Sequence, residues 1–145
     1  MNKNFKKIIS LMLVLCLATL TFVTPAVEAE AASKYSKSFT KKITLQPWEH
    51  CEVSIAVKKK ANVTVKVSTT SKYKDLSGAV TFWEQYDHFA PNKKSITLKK
   101  SVSKGNQIIG ITNYTDKKIT YTVKVSAKSA VVKYKKKEFF ADGVG

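Results

Sequence analysis

The stretch Gly105-Asn-Gln-Ile-Ile-Gly-Ile-Thr-Asn-Tyr-Thr-Asp-Lys-Lys-Ile-Thr-Tyr-Thr-Val-Lys-Val-Ser-Ala127 decides the fold. From Ile119 onward it alternates without error. Ile119, Tyr121, Val123 and Val125 fall on one side; Thr120, Thr122, Lys124 and Ser126 fall on the other. A period of two is that of a half-buried β-strand. Gln107 to Asn113 reads as a second strand, and the polar Thr115-Asp-Lys-Lys118 between them reads as a tight turn. The stretch is therefore expected to be a hairpin.

The same pattern recurs upstream. Strands are expected at Ser38–Leu45, at Cys51–Lys58 (Cys51, Val53, Ile55 and Val57 inward) and at Asn62–Thr69 (Val63, Val65 and Val67 inward). The second and third flank the short turn Lys58-Lys-Lys-Ala-Asn62 and are expected to pair as an antiparallel hairpin with one wet face. A fourth strand is expected at Ala79–Tyr86, a fifth at Ser95–Lys100 and a last at Ala130–Tyr134, with Pro47, Ser77-Gly78 and Pro91 marking turns. No segment has a helical period. Valine and threonine dominate, as strands prefer. The fold class is all-β, an antiparallel, jelly-roll-like β-sandwich of about eight short strands.

The 145 residues divide unevenly. Residues 1–31 read as a secretory signal peptide: Lys3, Lys6 and Lys7, an apolar run from Ile8 to about Val23, Pro25, and a small-residue site at Ala29-Glu-Ala31. Cys16 lies in mid-run behind Leu15, which argues against a lipidated cysteine. Residues 32–37 read as a linker, 38–135 as the sandwich and 136–145 as a flexible tail. Cys51 is the single cysteine after the leader, so no internal disulfide is expected; this suits a protein exported by a Gram-positive bacterium better than a small eukaryotic secreted domain. The expected location is extracellular, with electrostatic retention at the cell surface. No L-P-x-T-G-like sorting signal follows, so covalent wall anchoring is not expected.

Charge narrows the partners. There are 26 basic and 10 acidic residues, a net charge of +16, and every basic residue is lysine. Lysine is a solvated point charge, whereas arginine carries the planar fork that reads phosphate or guanine in two bonds. A specific nucleic-acid reader is therefore not expected. Diffuse attraction to cell-wall polyanions, acidic glycans or an anionic membrane surface is. Compositional bias and the guarding of sheet edges against unwanted pairing account for lysine equally well.

Leu45-Gln-Pro-Trp-Glu49, the valine-rich segments after it, and Ile108-Ile-Gly-Ile-Thr-Asn113 with Thr120-Tyr-Thr-Val-Lys-Val125 resemble the bacterial pre-peptidase C-terminal domain over residues 38 to 127. Two positions depart from that pattern: Trp48 stands where a turn glycine is usual, and Ile108 where an aromatic is common. The resemblance implies a small β-sandwich with an accessory or binding role, sometimes on extracellular polymers, and no shared catalytic residues.

Candidate chemistry is sparse. His50 and Cys51 are neighbours on a strand and so point to opposite faces; Cys51, in phase with three apolar residues, reads as a buried thiol. Glu84 and His88 share a phase if the fourth strand runs on, with Asp87 between, but two histidines and no ligand motif make neither a metal site nor an acid–base pair. G-x-S-x-G, H-E-x-x-H and a phosphate-cradling glycine loop do not occur, so an enzyme, a metal and a cofactor are not expected. The aromatic run Phe82-Trp-Glu-Gln-Tyr-Asp-His-Phe89 is overfilled. One face would carry Phe82 and Tyr86, the other Trp83 and Phe89, and a single core cannot bury both: either one set is exposed, or one forms the core and the other lies under the Thr70–Gly78 loop or the C-terminal tail. Trp48, Phe82, Trp83, Tyr86 and Phe89 are the candidate binding residues. Lys133-Tyr-Lys-Lys-Lys-Glu-Phe-Phe140 has the lysines and phenylalanines to dock on an anionic membrane, but a last edge strand with a frayed end is the preferred reading. The reading is a secreted, cationic, non-enzymatic binding or accessory protein; the alternative is a secreted cationic antibacterial protein.

Overall fold

The computed structural model describes residues 34–141; the expected signal peptide and the last four residues lie outside them. Nine strands and no helix occur among the described residues. They are β1 (Ser38–Leu45), β2 (Glu49–Val57), β3 (Ala61–Thr69), β4 (Gly78–Phe82), β5 (Gln85–Phe89), β6 (Ser95–Val102), β7 (Gly105–Asn113), β8 (Ile119–Ala127) and β9 (Val132–Ala141). They form a four-stranded sheet ordered β1-β8-β3-β6 and a five-stranded sheet ordered β5-β4-β7-β2-β9, antiparallel throughout. Without β9 this is the eight-stranded order of a jelly roll, 1-8-3-6 against 2-7-4-5. β9 adds a strand beside β2.

The alternation holds as the sequence predicts. Cys51, Val53, Ile55 and Val57 from β2 meet Val63, Val65 and Val67 from β3 and Val123 and Val125 from β8 in one buried core, which closes around Phe82, Ile109, Ile111 and Tyr121. The pairing partners differ from expectation. β2 pairs with β7 and β9, while β3 pairs with β6 and β8, so β2 and β3 lie in opposite sheets. β7 and β8 also lie in opposite sheets, so Gly105–Ala127 is an arch between sheets and not a hairpin. The physical reason is general. Alternation says that one face of a strand is buried, but hairpin and arch bury that face equally well, and a short polar connection serves either. Of all successive strands, only β4 and β5 pair with each other.

Two further boundaries move. The expected single strand Ala79–Tyr86 is a tight hairpin, reversed at Trp83-Glu84. The expected flexible tail is largely strand: β9 pairs with β2 as far as Glu49↔Ala141. A shift in register between Ser54 and Ile55 leaves Lys135 unpaired, a β-bulge that lets this lysine-rich segment follow the sheet edge.

The two outer faces differ in chemistry. On the four-stranded sheet the outward residues are Ser38, Thr40, Lys42 and Thr44 of β1, Thr120, Thr122, Lys124 and Ser126 of β8, Asn62, Thr64, Lys66 and Ser68 of β3, and Ser95, Thr97, Lys99 and Ser101 of β6. There is no aromatic and no carboxylate among them. On the five-stranded sheet the outward set includes Tyr86, His88, Thr81, Ile108, Thr112, His50, Glu52, Glu138 and Phe140.

Candidate functional site

The aromatic run is resolved by a turn. Phe82↔Gln85 closes the β4–β5 ladder, leaving Trp83 and Glu84 as a two-residue loop. Trp83 has φ 58°, and no other residue of this loop has positive φ. Positive φ at the first central residue alone marks a type II′ turn, the hairpin connection that normally takes glycine there. The reversal also resets the phase. Phe82 and Phe89 both face inward and are buried, Phe89 with its ring centroid 5.1 Å from that of Tyr121. These two expected binding residues are therefore core residues. Trp83 and Tyr86 remain half-exposed, at 53% and 54%.

Trp83 is held, not loose. Its Nε1–H donates to Gln107 Oε1 at 2.6 Å, and Gln107 Nε2 donates to the Ser103 carbonyl at 3.2 Å. The indole's single donor is thus satisfied inside the protein, and the rest of the ring is free to act as an apolar contact. Glu84 turns outward beside Lys100, 3.5 Å away. On the outer face next to the turn, Tyr86 and His88 stack edge-to-face with centroids 4.3 Å apart, and the Tyr86 hydroxyl lies 3.2 Å from His88 Nδ1. Ile108, 52% exposed, presents an aliphatic group from β7. Sequence reasoning missed Ile108 as a surface residue. Its signal was present: it stands out of phase with the buried Ile109 and Ile111.

The face continues across β4, β7 and β2. A Cβ on Gly110 would collide with Thr81 Oγ1 and lie 3.0 Å from His50 Cε1, so both side chains lean over the glycine. His50 Nδ1 is 2.8 Å from Thr112 Oγ1, and its ring centroid lies 6.1 Å from that of Phe140. Phe140 is the second residue that sequence reasoning placed elsewhere, in a free tail.

Trp48 does not join this group. It sits at φ 58° in the turn Gln46-Pro-Trp-Glu49, closed by Glu49 N–H donating to the Gln46 carbonyl at 3.3 Å. Proline at the second position and positive φ at the third mark a type II turn, whose third position favours glycine. The turn is anchored. Gln46 N–H donates to Glu49 Oε2 at 2.7 Å, and the buried Asn113 donates from Nδ2 to the carbonyls of Gln46 and Lys117 at 2.8 and 2.7 Å. Registers through β7 put Trp48 and Trp83 at opposite ends of the sheet, about 20 Å apart along the strands at ~3.3 Å per residue.

The titratable residues are equally dispersed. His88 and His50 share a row through Ala79 and Thr112 but stand three strand spacings apart, about 14 Å. Glu84 lies in the turn, where its carboxylate meets Lys100. Among the described residues no three His, Cys, Asp or Glu side chains converge. Cys51 is buried on the opposite side of β2 from His50, and burial pushes its thiol up to about 11. A thiol in that state is neutral and inert at neutral pH.

No protein-family model and no curated protein matches this chain. Its fold is similar to three solved domains. One is the pre-peptidase C-terminal domain of a collagenase from Bacillus anthracis, at 16% identity and TM-score 0.47, covering 63% of this chain and 90% of that one. Another is Xyl-CBM35, a structure in complex with a disaccharide containing glucuronic acid, at 11% identity and TM-score 0.44, covering 63% and 73%. The third is the CBM35 of Abf62 from Cellvibrio japonicus, at 10% identity and TM-score 0.41, covering 71% and 75%. The resemblance read from the strands and the first of these name the same kind of domain. At such identities no residue acquires a role from the likeness.

Proposed function

We propose that this chain is a secreted, non-enzymatic binding or accessory protein that holds an extracellular or cell-envelope glycan or polyanion, with the β4–β5 hairpin tip as its aromatic contact. One observation carries the reading. Trp83 is fixed in a left-handed backbone conformation that glycine would occupy more cheaply, its only polar atom is satisfied internally, and its ring is displayed to solvent. Such conformations persist where the surrounding structure enforces them and cluster at binding sites. A ring already immobilised loses little entropy on binding, which favours stacking on a sugar face. Tyr86, His88 and Ile108 stand on the outer face of the sheet, opposite the buried Gln107 that holds the indole, and His88 and Tyr86 offer polar edges for hydroxyl groups there. The likeness to carbohydrate-binding modules is compatible with this reading but does not support any residue in it.

Trp83→Gly tests the reading, because glycine suits the turn and removes the ring while keeping the hairpin. Retention of the mature chain on purified bacterial wall polysaccharide is expected to fall at least tenfold, with the thermal midpoint little changed. Unchanged retention by a folded Trp83→Gly protein would remove the hairpin tip from the contact surface.

A further inference from the structure

The lysines of the four-stranded sheet form a line. Lys42 lies on β1, Lys124 on β8, Lys66 on β3 and Lys99 on β6, so each strand contributes one outward ammonium group. Lys124 and Lys66 are directly paired. Lys42 opposes Thr122, two residues from Lys124, and Lys99 opposes Thr64, two residues from Lys66. The four therefore run as one diagonal stripe across the face. Direct neighbours on a sheet stand about 5 Å apart and diagonal ones about 7–8 Å, so the stripe is on the order of 20 Å long. Every other outward position on these strands is Ser, Thr or Asn.

Three features set this stripe apart from a solvated charge run. Lys66 and Lys124 sit on the two inner strands of the sheet, where guarding an edge cannot be their purpose. Like charges directly opposite each other destabilise a sheet. None of the four makes an ion pair among the described residues, and no carboxylate lies on this face to relieve the repulsion. The fold thus maintains an uncompensated row of positive charge, bordered on both sides by hydroxyl groups.

We infer that this stripe is the binding site for a linear, phosphodiester-linked polyol polymer of the cell envelope, laid diagonally across the strands. Successive phosphates meet successive ammonium groups, and the flanking threonine and serine hydroxyls bond the phosphate oxygens and the polymer's own hydroxyls. Lysine meets a singly charged phosphodiester as a point charge, without the paired bonds that an arginine fork makes to phosphate and carboxylate alike, which suits a repeating polymer held by charge spacing. A single-stranded nucleic acid would need aromatic platforms for its bases, and this face has none. The inference rests on the secreted reading above and gives that reading a second site, on the sheet opposite the aromatic tip.

The test uses the mature chain and purified, lipid-free poly(glycerol phosphate). The variant Lys42→Thr/Lys66→Thr/Lys99→Thr/Lys124→Thr is compared with Lys59→Thr/Lys60→Thr/Lys72→Thr/Lys104→Thr, which removes the same charge from loops. The stripe variant is expected to lose at least tenfold in affinity, and its plot of log affinity against log salt is expected to flatten by about 3. The loop variant is expected to lose less than threefold. Equal losses in the two variants would overturn the site, because the attraction would then be diffuse. So would tighter binding to phosphatidylglycerol vesicles, or to oligothymidylate, than to the polymer. Polymer affinity is read on the stripe and loop variants and polysaccharide retention on Trp83→Gly, in separate assays, so failure at the stripe and failure at the aromatic tip are distinguished.

Discussion

Both tryptophans occupy glycine positions. Trp48 and Trp83 each have φ 58°, each stands in a two-residue turn centre, and each is about half-exposed. A side chain in left-handed backbone costs about 1–2 kcal/mol that glycine avoids. At ordinary strand or turn sites alanine is better tolerated than glycine. Here the order is expected to reverse: Trp48→Gly and Trp83→Gly should each be more stable than the matching alanine variants by about 1 kcal/mol in denaturant titrations. A second residue-level strain lies in the core. Tyr121 is fully buried, its hydroxyl is 3.1 Å from where a Gly78 Cβ would stand, and it has no hydrogen-bond partner among the described residues; burial pushes its ionisation far above the usual phenol range. Tyr121→Phe keeps the ring against Phe89 and removes the unpaired polar atom. The variant is expected to be equal to the natural protein or more stable by about 1 kcal/mol, measured as the urea midpoint.

At the scale of elements, β3 and β8 pair through Lys66 and Lys124. No carboxylate compensates the repulsion between them, so removing one charge should stabilise the sheet. Lys66→Thr is expected to raise the thermal midpoint at low salt, by an amount worth roughly 0.5 kcal/mol, and the gain should shrink as ionic strength rises. The loops at the Trp48 end are tied by exposed carboxylates. Asp116 accepts from the Tyr73 hydroxyl at 2.6 Å, which holds its carboxyl below the usual range and pushes Tyr73 up to about 12. Asp87 is likewise lowered, chiefly by Lys93, 2.6 Å away, and then by the His88 N–H. A lowered carboxyl stabilises the fold above its unfolded pKa of about 3.9, and that contribution disappears as pH falls through the lower folded value. Stability is therefore expected to be insensitive to these groups from pH 7 to about 4 and to decline below that, with Asp116→Asn flattening the decline in thermal melts.

Over the whole molecule, the sandwich separates two chemistries that the linear chain interleaves. One outer face is hydroxyl and ammonium; the other carries aromatics, histidines and glutamates. In the sequence, Lys124 and Tyr121 are three residues apart, yet one reaches solvent and the other is sealed in the core. The fold class, the inward residues of each strand and the inert character of Cys51 were legible from alternation, because a two-residue period is written in the chain itself. The exposed pair Trp83 and Tyr86 was within reach, since too many aromatics crowded one segment. That Phe82 and Phe89 belong to the core was not, because the hairpin reversal at Trp83-Glu84 puts a bulky residue where turn signals call for glycine.

Periodicity along one strand determined which side chains of this protein are buried, and composition determined that its surface is a lysine surface. Neither carries information about which strand lies beside which. Arch and hairpin satisfy the same local pattern, so only the closing of the two sheets on each other chose β1-β8-β3-β6 and β5-β4-β7-β2-β9. That choice sent Trp48 and Trp83 to opposite ends. It also drew Lys42, Lys66, Lys99 and Lys124, spread over 83 positions of chain, into one line. Long-range pairing is a property of the closed core, and it is there that separate alternating strands acquired surfaces able to bind.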